Sequence, residues 1–304
     1  MRWICSVLIG FVLLPSTGCV LPGRRGPASK SLLESRQLSL RAASALERGD
    51  APAAEKLLAK AVETCDTDPE ARRLYADCLA RRGATSDALA QLDEAIILSS
   101  EDPMLLVRRG EIHLSQGRVG GAMRSVESAI NLDPRYAPAW LLRARARAHA
   151  GRSREALADY HRALGLQPGN RDTLLEIAQL HWRIAGQRPD QQAGQLQRAL
   201  VTLQALEDTY PQGEEPQKAL YLSGLVYDRL NRPQDAVRSL TAARLRGQDH
   251  PELLVALALA QFHAGRAREA MATVEQSLLL QPQHAASRRL RETIRVAMNR
   301  GQLR

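Results

Sequence analysis

Small and apolar residues recur along the chain at a fixed spacing. In the first four periods a glycine appears every 34 residues, and an alanine follows each glycine five residues later: Gly49 and Ala54, Gly83 and Ala88, Gly117 and Ala122, Gly151 and Ala156. The pattern resumes as Gly194 with Ala199, Asn231 with Ala236, and Gly265 with Ala270. A period of this length indicates stacked supersecondary units. It predicts a helical hairpin in each period, with the glycine or Asn231 in a left-handed turn between the two helices.

The third period reads PMLLVRRGEIHLSQGRVGGAMRSVESAINLDPRY, and the fourth reads APAWLLRARARAHAGRSREALADYHRALGLQPGN. These segments resemble the tetratricopeptide repeat (TPR), whose signature is W-x2-L-G-x2-Y, then A-x3-F, then P, over 34 residues. The resemblance covers the chain from about residue 35 to the end. It implies an all-α fold, a right-handed superhelical solenoid of about seven TPR hairpins with a C-terminal capping helix.

The register places seven repeats along the chain, at 35–68, 69–102, 103–136, 137–170, 171–213, 217–250 and 251–284. The fifth repeat is nine residues longer than the standard period, and we expect the extra length between its helices, in residues 185–194. Residues 285–304 are assigned to the capping helix and a polar tail.

Within this register, three positions of the repeat are expected to form the contacts between helices, and we call the residues at each position a contact column. The eighth position of each repeat is small: Ala42, Ala76, Gly110, Ala144, Ala178, Gly224 and Ala258. The twentieth position is alanine in all seven repeats, and the twenty-fourth is apolar or tyrosine: Leu58, Leu92, Val126, Tyr160, Leu203, Leu240 and Val274. We therefore expect the two helices of each hairpin to pack closely at these positions.

The first residues resemble a bacterial lipoprotein signal. Arg2 is the only charged residue among the first eighteen, and the apolar run that follows is too short to span a bilayer. Residues 1–18 are therefore predicted to be a signal peptide, and Cys19 to be the lipidated residue. Ser16 stands where a lipobox usually has leucine, so ordinary secretion without a lipid stays open. Residues 19–34 are rich in Gly, Pro, Ser and basic residues and are predicted to form a flexible tether.

Composition and motifs favour binding over catalysis. The net charge of +9 is compatible with an anionic partner or with an arginine-rich solvated surface, and nucleic-acid binding conflicts with export. There is no HExxH, GxSxG, Walker or CxxC motif, and the seven histidines fall at scattered repeat positions. We predict no enzymatic activity, no metal site and no cofactor.

The TPR resemblance implies a concave groove lined by positions 2, 5, 9, 12 and 13 of the first helix of each repeat. The groove candidates are Arg73, Asp77, Glu111, Arg145, His149, Trp182, Arg183, Tyr221, Arg229, Phe262 and His263. The aromatic residues beside arginines are typical of interface hot spots, although the same aromatics could fill gaps between helices. The asparagines of the clamp with which chaperone-binding TPRs hold a C-terminal carboxylate are missing, which argues against a partner of that kind.

These features predict a membrane-anchored TPR scaffold or adaptor that mediates protein–protein interactions in the bacterial cell envelope. The alternative is a regulatory or assembly subunit of an envelope enzyme or of a secretion or pilus complex. The protein partner would lie in the groove and the N-terminal lipid would hold the membrane. Val20, in place of an aspartate after Cys19, favours the outer membrane and its periplasmic face, whereas the form without lipid would be periplasmic or secreted.

Overall fold

The computed structural model of the chain describes residues 27–299. The predicted signal peptide and Cys19 lie outside these residues. Within them the protein is all-α, with fifteen α-helices, one short 3-10 turn and no strand. The prediction of an all-α chain built from repeating helical hairpins is confirmed. None of the described helices combines the length and apolar character that crossing a membrane requires.

The first compact unit extends to Leu98 and contains four helices. Their bounds are α1 Pro27–Glu47, α2 Ala51–Thr64, α3 Pro69–Arg82 and α4 Thr85–Leu98. Each packs against the next, around a core that includes Ala42, Ala54, Leu58 and Cys78.

Helix α1 begins earlier than expected. Residues 27–34, which the sequence assigns to the flexible tether, already belong to the helix. Proline suits a first helical turn, where its missing N–H has no intrahelical partner, and the residues that follow include no further proline or glycine until the end of α1. The buried Ser35 donates from Oγ to Oδ2 of Asp68 at 3.1 Å, which fixes α1 to the start of α3.

The second compact unit begins at Ser99 and contains the other eleven helices. Their bounds are α5 Pro103–Ser115, α6 Val119–Leu132, α7 Ala137–His149, α8 Ser153–Leu166, α9 Arg171–Gln187, α10 Gln192–Glu207, α11 Gln217–Arg229, α12 Pro233–Leu245, α13 Pro251–His263, α14 Ala267–Leu280 and α15 Ala285–Asn299. Every helix from α5 to α15 packs against its neighbours in sequence, so that each hairpin is buried against the next.

The contact columns are buried as the register predicts. The alanines of the eighth position, including Ala144 and Ala258, and those of the twentieth position are 0% exposed. At Gly224 on α11 an added Cβ would lie 2.4 Å from Cγ of Leu240 on α12. The helices of these hairpins therefore approach too closely for a larger side chain.

Turns between the paired helices follow the predicted chemistry in six of the seven repeats. Asn231 has φ of 56°, and glycines take the left-handed conformation at the other five turns: Gly49, Gly83, Gly117, Gly151 and Gly265. Only glycine and asparagine adopt this conformation at low cost.

The fifth repeat departs from this pattern. Its extra residues do not form a loop, because they extend α9 to Gln187, form the 3-10 turn Pro189–Gln191 and begin α10 at Gln192. Gly194, expected at the left-handed turn, lies inside α10. The prediction for Gly194 was wrong because α9 continues past the usual turn position before Pro189 interrupts the helix.

Candidate functional site

A groove lies between the first helices of the fourth and fifth repeats, α7 and α9. It has a volume of about 550 Å³. Its lining includes Leu114, Arg145, His149, Asp172, Glu176, Arg183 and Lys218, and we call it the central groove. Helices α7 and α9 approach each other less closely than α5 and α7 do, which opens the space. Leu114, Arg145 and His149 also line a neighbouring depression of about 600 Å³ that includes Glu111, so the two form one continuous surface.

An ion pair with a buried hydrogen-bond partner crosses the floor of the central groove. Nε of Arg145 on α7 donates to Oε1 of Glu176 on α9 at 2.9 Å, and the buried Tyr160 on α8 donates from its hydroxyl to Oε2 at 2.8 Å. Burial, followed by the charge of Glu176, raises the pKa of Tyr160 well above its usual range. The hydrogen bond to Glu176 likewise raises the pKa of Arg145. Arg145 is therefore a fixed cation of the floor, already neutralised by Glu176.

Two other cations of the central groove have no such partner. Arg183 on α9 and Lys218 on α11 are exposed, and no carboxylate among the described residues forms an ion pair with either. Asp172 is the only groove carboxylate left without an ion pair in the same part of the chain. The wall of the groove therefore carries a net positive charge.

A smaller cleft of about 230 Å³ adjoins the groove through Arg183. Trp182 and Arg229 line it together with Arg183. The guanidinium carbon of Arg229 lies 5.3 Å from the centre of the Trp182 ring, within the range of a cation–π contact. An apolar ring and two guanidinium groups thus face one opening.

The remaining candidates of the third to seventh repeats lie outside these openings, except Glu111. Glu111 accepts from Nη1 of Arg108 at 2.8 Å in the depression beside the groove. Tyr221 packs edge-on against His250 with ring centres 5.8 Å apart, and burial raises its pKa. Phe262 packs against the core that joins α13, α14 and α15, and His263 forms a 2.7 Å contact with Asp228 through Nδ1.

In the first compact unit, Arg73 and Asp77 face each other along α3. Nη1 of Arg73 lies 3.0 Å from Oδ2 of Asp77, and its Nε donates to Glu70 at 2.8 Å. The hydrogen bond to Glu70 is the main cause of the raised pKa of Arg73. The two side chains that the sequence assigned to a groove are therefore held in ion pairs along one helix.

Sequence reasoning did not find four ionisable residues of the central groove. Asp172 and Lys218 occupy position 2 of their repeats, which is one of the positions the TPR resemblance implies. Tyr160 is the only residue with a polar group at the twenty-fourth position of the repeats, where the others are aliphatic. Its hydroxyl group was the sequence feature that could have indicated a polar contact there. Glu176 occupies a position outside the expected set and had no signal.

Metal-ligating and thiol groups of the described residues were the remaining candidates for a reactive site. The described residues contain no group of three or more His, Cys, Asp or Glu side chains arranged to hold a metal. Cys65 and Cys78 are buried free thiols, and burial raises the pKa of Cys78. A thiol shielded in this way is a poor nucleophile.

Similarity to known proteins agrees with this geometry. Two family models, each described as tetratricopeptide repeat, match the chain, one at residues 45–104 and 229–294 and the other at 85–137 and 107–171. Together the matched ranges cover more than half of the chain. No curated protein matches the chain significantly.

Several solved structures share the fold. A tetratricopeptide repeat protein from Parabacteroides merdae aligns with a TM-score of 0.56 and 14% identity, over 86% of this chain and 99% of its own. PilW, described as a widely conserved type IV pilus biogenesis factor, aligns with a TM-score of 0.58 and 18% identity, over 69% and 92%. PilF of Pseudomonas aeruginosa aligns with a TM-score of 0.57 and 17% identity, over 73% and 95%.

At identities this low, the structural alignments establish similarity of fold alone. The matches to the repeat models establish the family. Proteins built from these repeats bind protein partners and are generally non-enzymatic scaffolds. The described helices, their turns and the matched sequence ranges agree, and the chain belongs to the tetratricopeptide-repeat family.

Proposed function

We propose that this protein is a membrane-anchored TPR scaffold or adaptor that holds a protein partner in the bacterial cell envelope. The observation that carries the proposal is the central groove, in which side chains of four successive repeats, the third to the sixth, surround one opening of about 550 Å³. A groove of this size admits a peptide segment rather than a whole domain. The rest of the partner would lie over the neighbouring depression or the cleft at Trp182.

The charges of the groove favour a partner segment that carries carboxylates. Arg145 is neutralised by Glu176, whereas Arg183 and Lys218 have no ion pair among the described residues. Leu114 and Leu175 add apolar surface beside these cations. An extended segment with apolar and acidic residues complements both, and the charged residues contribute mainly to specificity and to the rate of association.

The groove is tested by reversing its two unpaired charges. Cells producing Arg183→Glu/Lys218→Glu are treated with a crosslinker, and the partners recovered with the protein are compared with those of the wild type. We expect at least about tenfold less of the main partner, because repulsion replaces two favourable contacts. The matched control is Arg289→Glu/Arg291→Glu, an equal charge change at exposed positions of α15. Equal recovery from the groove variant and the wild type would contradict the proposal.

The membrane anchor is a separate part of the proposal. It is supported by the short apolar run and the small residues that precede Cys19. Cell fractionation of the wild type and of Cys19→Ala tests it, with the wild type expected in the membrane fraction and the variant in the soluble fraction. A wild-type protein found only in the soluble fraction would favour the secreted or periplasmic form.

A second candidate is an assembly subunit of a pilus or secretion complex, or a regulatory subunit of an envelope enzyme. The similarity of fold to PilW, a type IV pilus biogenesis factor, motivates the pilus form of this candidate. The identity of the crosslinked partner distinguishes the possibilities. A pilus or secretion component, or an envelope enzyme, would favour the second candidate over a general adaptor.

A further inference from the structure

A second opening lies at the turn edge of the fourth and fifth repeats, apart from the central groove. It has a volume of about 480 Å³, and four arginines line it: Arg152, Arg154, Arg188 and Arg198. Arg152 and Arg154 come from the turn between α7 and α8 and from the first turn of α8, and Arg198 from α10. Arg188 belongs to the extra residues of the fifth repeat, so the length that departs from the TPR period forms one wall. We call this opening the basic cleft.

The basic cleft is lined by four arginines but by only one carboxylate, so most of its positive charge is not neutralised. Glu155 is its only carboxylate, and it lies 3.8 Å from Nη1 of Arg152 and 3.5 Å from Nε of Arg147. Arg154, Arg188 and Arg198 have exposed side chains and form no ion pair with any described residue. Guanidinium groups that line one opening repel one another, and this repulsion extends over a Debye length of roughly 10 Å at moderate salt. An anion between them would relieve that repulsion.

Three glutamines of the lining are suited to hydrogen bonding. Gln187, Gln191 and Gln195 line the cleft. Oε1 of the buried Gln195 lies 2.7 Å from Nδ1 of His181, which fixes that amide in position. No aromatic side chain of the described residues lines the cleft, so it lacks the aromatic platform on which single-stranded nucleic acid stacks.

We propose that the basic cleft binds a phosphate-bearing anion. The planar guanidinium group donates two parallel hydrogen bonds to phosphate oxygens, and several such groups around one opening match the spread of charge over a phosphate. The phosphate belongs either to a free anion or to a lipid headgroup. The basic cleft shares no residue with the central groove, and this proposal does not depend on the function proposed for that groove.

The test measures binding of inorganic pyrophosphate by titration calorimetry, and binding of vesicles made of equal parts phosphatidylcholine and phosphatidylglycerol by co-sedimentation. Every protein is the full chain with Cys19→Ala, so that a lipid on that residue does not contribute. The cleft variant is Arg154→Gln/Arg188→Gln, and the control with the same charge change is Arg289→Gln/Arg291→Gln. Both pairs are exposed, and circular dichroism should show unchanged helix content and melting temperature.

We expect the cleft variant to bind at least one probe about tenfold more weakly than the control does. Loss of pyrophosphate binding identifies a free anion as a ligand, and loss restricted to vesicles identifies the lipid headgroup. Equal weakening in the cleft and control variants would show attraction by net charge alone and would overturn the proposal. Absence of binding to both probes, or tighter binding of hexaglutamate than of pyrophosphate, would overturn it as well.

Discussion

Individual small residues set how closely paired helices approach. Gly224 on α11 faces Leu240 on α12, and an added Cβ would lie 2.4 Å from the Cγ of that fully buried leucine. We predict that Gly224→Ala lowers the free energy of unfolding by about 1–3 kcal/mol, because the core must shift to admit one methyl group. Urea denaturation followed by circular dichroism measures the change.

The control for this prediction is another helical glycine. Gly165 lies near the end of α8, and an added Cβ there would meet no atom within 4 Å. Gly165→Ala should leave stability unchanged or raise it by less than about 1 kcal/mol, since alanine favours the helix. If the two variants were equally stable, the close contact at Gly224 would not be what limits its size.

Where two elements meet, a single carboxyl group gives stability a dependence on pH. Glu207 ends α10 and accepts from Oγ of Ser223 on α11 at 2.7 Å. Burial raises the pKa of Glu207 in the folded protein above its ordinary value of 4.5, and the charges of Glu215 and Asp208 add to this effect. The protonated carboxyl therefore favours the folded state, and that contribution is lost as pH rises through the folded-state pKa.

Glu207→Gln is neutral at every pH, and its amide oxygen still accepts from Ser223. We therefore predict that the variant is more stable than the wild type at pH 7, and that the difference shrinks below about pH 4.5, where the wild-type carboxyl is protonated in both states. Urea denaturation at both pH values checks this. The exposed Glu214 provides the control, because Glu214→Gln should change stability at neither pH. A difference of the same size at both pH values would contradict the prediction.

The sequence predicts the helices more completely than it predicts the ion pairs that join one helix to the next. The turn glycines and buried alanines predict the hairpins because each of these positions tolerates very few residue types. The path of the chain after Ala185 has no such constraint, so the lengthening of α9 and α10 was not predicted. The pair of Arg145 with Glu176 was also missed, since a surface arginine has the same pattern whether it meets solvent, a partner or a carboxylate on the next helix.

The second compact unit as a whole is a row of hairpins in which each helix depends on its neighbours in sequence. Helix α15 covers the last hairpin, and Ile294, which is 0% exposed, packs in the cluster that contains Ala258 and Val274. In such an array stability is nearly a sum of terms between neighbours. A substitution that destabilises α15 should therefore destabilise α13 and α14 most and α5 to α8 least.

Ile294→Asp tests this by placing an unpaired charge in the cluster under α15. We predict a loss of more than about 3 kcal/mol at this end of the unit, since a buried carboxylate without a partner is strongly unfavourable. Hydrogen exchange should accelerate in α13 to α15 while α5 to α8 keep their protection. Val296→Asp is the matched control, because Val296 lies on the same helix and is 37% exposed, so exchange should stay close to that of the wild type. Uniformly faster exchange throughout residues 99–299 in Ile294→Asp would mean that the unit unfolds in one cooperative step, and neighbour-by-neighbour stability would then be wrong.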